Sequence, residues 1–129
     1  MPVFTRVRDG VIVLTVDGDY TANELRRVAF GAFESSDTRS SMPILLDMSG
    51  AAGLARMSTD ELRASGAIFG VYRDRISAIG VVVSPDAHEL FSADGDFGRE
   101  TGVEVKACDS HVDAREWLAG LTETNKGSG

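Results

Sequence analysis

A single cysteine, Cys108, stands in a chain of 129 residues. One thiol excludes an intramolecular disulfide and a cysteine-rich metal site. Cations are scarce as well. Thirteen Lys and Arg against twenty Asp and Glu leave a net charge of −7, with no run of basic residues. That balance argues against nucleic acid as a partner, because phosphates call for a basic face. It offers no polybasic route to anionic lipid either. Long apolar runs are also missing. The opening stretch MPVFTRVRDGVIVLTVDGD carries charges inside every candidate run, so neither a signal peptide nor a membrane span is expected. The expectation is one soluble, cytoplasmic domain, long enough to bury a core without metals or disulfides.

Signatures of catalysis are equally thin. SGAAGLARMS contains Gly50 and Gly53 but has neither the spacing nor the lysine of a phosphate-binding loop, and VDGDYTANEL has one glycine where a dinucleotide site needs three. His88 has no second histidine four residues on, and His111 falls at a helix start. Asp94 and Asp96 are followed by Arg99 and Thr101 where a calcium loop needs acids. A solvated turn is the reading there, and no metal or cofactor is expected. Both histidines read as exposed helix residues, and Cys108 as a buried, inert thiol ending a strand. No nucleophile lies beside a base in the sequence, so no catalytic residue is assigned.

What is present is a regular alternation. VFTRVRDGVIVLTVDG reads as two strands joined at Asp9-Gly10. In TANELRRVAFGAFESS, Leu25, Val28, Ala29, Ala32 and Phe33 share one helix face. Thr21 and Glu24 form a capping box at its start. PILLDM and ISAIGVVV are continuous apolar runs, as in strands buried on both faces of a parallel sheet. Ser58 and Glu61 open a second helix over 58–74. Ser84-Pro85 opens a third over 84–102, VEVKAC is the last strand, and Ser110 caps a closing helix. Ala114, Trp117, Leu118 and Leu121 share a face of that closing helix, which places Trp117 against the sheet. The tail TETNKGSG has no apolar period and is expected to be disordered. The spacing predicts strands near 3–8, 11–17, 43–47, 76–83 and 103–108 in a mixed, mostly parallel sheet with four helices. Only the first strand should run antiparallel to its neighbour.

Three stretches carry a resemblance. VDGDYTANELRRV, PILLDMSG and DSHVDAREWL, in this order and spacing, resemble the second strand and first helix, the central strand, and the closing helix of the STAS superfamily. The match is to its SpoIIAA-like (anti-sigma-factor-antagonist-like) branch and covers residues 3 to 121. The resemblance implies a β-β-α-β-α-β-α-β-α fold whose partner-binding loop follows the third strand. Anti-sigma antagonists carry a phosphorylated serine at the start of the second helix, in an Asp-Ser pair. The corresponding positions here are Ala55 and Arg56, so the phosphoacceptor is missing, while Ser58 and Thr59 follow two and three residues later.

The resemblance therefore implies a non-enzymatic regulatory module that binds a protein partner through the 48–59 loop and the second helix. Asp47 would anchor the strand end, Ser49 and Gly50 would shape the loop, and Arg56, Ser58 and Thr59 would meet the partner. The alternative is a carrier or sensor of a small apolar, lipid-like ligand in a Sec14-like pocket lined by Phe69, Tyr72, Leu90 and Phe91. An enzyme ranks third, and a homodimer is left open.

Overall fold

The computed structural model describes residues 3–18, 20–35, 41–51 and 57–128, with side chains of the closing helix described as far as Leu121. Five strands form one sheet in the order β1 (Val3–Arg8), β2 (Val11–Asp17), β3 (Met42–Gly50), β4 (Ile76–Val82) and β5 (Glu104–Cys108). β1 and β2 are antiparallel, and every other neighbouring pair is parallel. The hairpin turn needs positive φ at both central residues. Asp9 and Gly10 supply it, with φ of 54° and 78°.

Parallel neighbours require crossovers, and α1 (Ala22–Ser35), α2 (Thr59–Val71) and the pair α3 (His88–Phe91) and α4 (Asp96–Thr101) provide them, while α5 (His111–Ser128) follows the last strand. The apolar alternation of the strands sorts these helices onto two faces. Leu14, Ile44, Leu46, Ile79 and Val81 point to one face and pack with Leu25 and Phe33 of α1, Leu62 and Phe69 of α2, and Phe91 and Phe97. Val13, Leu45, Ala78 and Val82 point to the other, which Ala114 and Leu118 of α5 cover. Ile44, Leu45 and Leu46 are all fully buried, so β3 has an apolar layer on each side. That explains its uninterrupted apolar run.

The capping residues sit where the sequence places them. Thr21 Oγ1 accepts from the Glu24 backbone N–H at 3.1 Å, Ser58 Oγ from Glu61 N–H at 3.1 Å, and Ser110 Oγ from Asp113 N–H at 3.2 Å. Each satisfies a donor the helix itself leaves unpaired. Thr21→Ala should therefore lower stability by about 1 kcal/mol, seen as a lower denaturant midpoint at unchanged slope.

The third helical segment differs from the expected single helix. Ser84 makes no side-chain cap, and Pro85–Ala87 forms a 3-10 turn. α3 then stops after one turn, and α4 begins only after Gly95. The reason is phase. Phe91 and Phe97 are six positions apart, about 120° out of register on a continuous helix, yet both are fully buried. Breaking the helix at Ser92–Gly95 turns both rings into the same core. At the other end of the chain, α5 is described as far as Ser128. Trp117 is also placed differently. It is half-buried at the rim of the smaller core, not enclosed beneath α5. Among the described residues, no helix is long and apolar enough to cross a membrane.

Candidate functional site

The parallel strands β2 to β5 all end at one edge of the sheet. Thr15, Asp47, Val82 and Cys108 stand abreast there, one on each successive strand. Asp47 shares the parity of Leu45, so it faces α5 and not the larger core. Helix α5 begins directly above it, and the first residue of that helix is His111.

His111 Nε2 lies 2.6 Å from Asp47 Oδ2. The other carboxylate oxygen, Oδ1, accepts from the Ser49 backbone N–H at 2.9 Å and from the Ser49 hydroxyl at 2.5 Å. An aspartate bonding its own backbone two residues on is a local turn device. Here it stiffens the last residues of β3, just before the chain leaves the strand after Gly50. Burial alone would push the Asp47 carboxyl up. The hydrogen bonds from His111 and Ser49, with the field of His111, outweigh burial and hold it below its ordinary value.

Gly50 follows on the exposed side of this turn. A Cβ there would approach Asp17 Oδ1 at 2.9 Å and the Val16 carbonyl oxygen at 3.3 Å, and Gly50 accepts a 2.7 Å hydrogen bond from Gly18 N–H. The small residue lets the ends of β2 and β3 close together. Arg56 lies outside the described residues. The far end of the loop is fixed by Tyr20, a buried residue before α1. Its hydroxyl reaches Met57 Sδ at 3.4 Å and Ser65 Oγ at 3.4 Å. Burial pushes the Tyr20 phenol up, against the Ser65 hydrogen bond and with a contribution from Glu61. Ser58 and Thr59 are exposed beside Met57. Asp47 and Tyr20 thus clamp the two ends of the loop, and Ser49, Gly50, Ser58 and Thr59 remain open to solvent.

The set is not arranged as a nucleophile and base. Ser49 gives its proton to the carboxylate and makes no bond to the imidazole, and a depressed carboxyl is a weak base. The four residues proposed to line an apolar pocket lie in the larger core. Phe69 and Phe91 are fully buried and both pack on Phe97, Tyr72 stacks on Phe33 with centroids 4.4 Å apart, and Leu90 packs partly buried beside them. Among the described residues, no group of three or more His, Cys, Asp and Glu is placed to hold a metal.

His111 is a candidate functional residue that helical position alone presents as an exposed helix residue. Its signal lay in topology. The helix after β5 starts at the strand ends where Asp47 sits, and the parity of Asp47 against Leu46 turns it toward that helix. His88 Nε2 lies 3.0 Å from Asp109 Oδ1 but without hydrogen-bond geometry, so it is a buried nitrogen with no hydrogen bond among the described residues.

Comparison with solved structures gives a match at TM-score 0.62 over 90% of this chain and 91% of the other. The match is an uncharacterized protein of the DUF3478 family with a SpoIIAA-like fold from Shewanella loihica PV-4, 14% identical in sequence. The fold is SpoIIAA-like. No family model and no curated protein matches the sequence, so the likeness is one of architecture. Within the SpoIIAA-like frame, the clamped loop after β3 stands at the carboxyl ends of parallel strands, where open α/β sheets present their working surfaces.

The clamp has a pH signature. Because the folded-state value of Asp47 is depressed, its stabilising contribution is present above the ordinary carboxylate range and is lost as pH falls through the folded value. Asp47→Asn should cost about 1–2 kcal/mol at neutral pH, a figure reduced for the half-exposed His111. The gap between variant and parent should close below about pH 4, as read from denaturant midpoints across the acid range. A gap that stays constant with pH would show that Asp47 is not held as described.

Proposed function

We propose that this chain is a non-enzymatic, cytoplasmic regulatory module that binds a protein partner through the loop after β3 and the start of α2. The observation that carries the reading is the double clamp. Asp47 holds one end of the loop through Ser49 and His111, and Tyr20 holds the other through Met57. Pre-organised ends lower the ordering cost of binding, so a surface loop held this way suits recognition by shape.

The loop acts without a phosphate switch. Ser58 already uses its hydroxyl oxygen as a helix cap. A phosphate there would gain from the helix dipole but would meet Asp60 and Glu61 in the same first turn. Native mass spectrometry of protein taken from its own host tests the reading. A stoichiometric complex with a second polypeptide is expected. A small-molecule adduct on an isolated chain would replace this reading with the carrier, and a phosphopeptide covering Ser58 or Thr59 would restore the switch.

A further inference from the structure

We propose that the free edge of β5 is a second docking surface, which takes an extended, arginine- or lysine-bearing segment of a partner protein as a sixth strand. This surface is separate from the loop after β3 and does not rest on the function proposed for that loop. Among the described residues, β5 ends the sheet and pairs on one side only, with β4. Val83 N–H donates to the Cys108 carbonyl at 3.1 Å, so Cys108 turns its backbone toward β4. Backbone direction alternates along a strand, which turns the N–H and C=O groups of Val105 and Ala107 outward.

Two clefts open along that edge. One, of about 450 Å³, lies between β5 and the α5 residues Asp113, Glu116 and Trp117. The other, of about 300 Å³, lies between β5 and the α3 side, at Glu89 and Ser92. They share His88, Lys106 and Ala107, so they flank the same part of β5, one toward α5 and one toward α3. An extended chain laid along β5 would meet the outward amides with its backbone and the two clefts with alternate side chains.

Charge selects the occupant. Asp113, Glu116 and Glu89 line the walls of the clefts against one ammonium, Lys106, while Asp109 faces His88 at 3.0 Å. Trp117 adds an aromatic surface in the same cleft, a partner for a guanidinium or ammonium group. Lys106 on the strand itself discourages indiscriminate edge pairing, so the cations of an incoming segment are received by the carboxylates of the walls and not beside Lys106.

Trp117 is the sole tryptophan, so its fluorescence reports the β5 edge directly. The probe is a capped hexapeptide of alternating arginine and valine, titrated into the full chain at low salt. A saturable change in Trp117 emission is expected. N-methylation of the amides that would face β5 leaves charge intact and should weaken binding about tenfold. The double variant Asp113→Asn/Glu116→Gln, altered only at exposed positions, should weaken it by a similar factor with unchanged circular dichroism. Equal binding of the N-methylated peptide would overturn strand addition, and equal binding by the double variant would overturn charge selection. Concentration-dependent polymers of the chain alone, with the Trp117 signal following assembly, would assign the edge to a second copy instead.

Discussion

Alanine in place of Gly66 should destabilise the fold by about 3 kcal/mol or more, while the same substitution at Gly31 should stabilise it by about 0.5–1 kcal/mol. Both glycines sit inside helices. Gly31 is exposed, with nothing within 4 Å of where its Cβ would stand, so no clash opposes the helix preference for alanine there. Gly66 is buried on α2, and a Cβ there would run into the carbonyl oxygen of Phe97, with the Glu100 Cβ at 3.0 Å. A backbone carbonyl inside α4 cannot swing aside as a side chain can. Helix α4 must move off α2, and the packing between them is lost with it. Thermal midpoints test the pair: a fall of about 10 °C for Gly66→Ala against a small rise for Gly31→Ala. Equal shifts at both sites would show that α2 and α4 do not meet at Gly66.

Truncating Phe97 to alanine should cost about 3–5 kcal/mol. The ring is fully buried, meets Phe69 edge-on at 5.8 Å between centroids and meets Phe91 tilted at 4.8 Å. Removing it leaves a cavity among aromatic neighbours that have lost their ring partner. The loss should appear as a lower denaturant midpoint at unchanged slope. A cost below about 1 kcal/mol would place the ring near solvent and put the α4 segment elsewhere. Phe97 and Gly66 touch the same contact, so the two losses should not add when combined.

Phe97 also marks the limit of what the sequence discloses. In ADGDFG the turn residues dominate the local pattern, and a lone phenylalanine among them has no periodic partner. Its burial depends on the break between α3 and α4, which serves tertiary phase and not local propensity. By contrast, β3 and β4 were legible because both faces of a parallel strand must be apolar, and the Asp9-Gly10 turn because few residues tolerate two positive φ values in succession. The caps at Thr21, Ser58 and Ser110 were legible for a similar local reason.

The site divides along the same line. Asp47, Ser49 and Gly50 could be read from the strand end and its turn, since their hydrogen bonds span two residues or one neighbouring strand. His111 and Tyr20 could not, because each acts across a sequence separation that only the fold closes. Trp117 shows the opposite error. Helical spacing placed it on the buried face, but α5 lies across β3, β4 and β5, and its ring reaches the sheet edge at β5 and stays half-buried.

The clamped loop is tested most directly by photo-crosslinking in the native host. A benzoylphenylalanine at Thr59, beside the loop, is compared with one at Val71, which is 79% exposed at the other end of α2. A discrete adduct with one protein is expected from position 59, absent from position 71 and weakened by Asp47→Asn. The same adducts from both positions, or no protein adduct from position 59, would contradict that expectation.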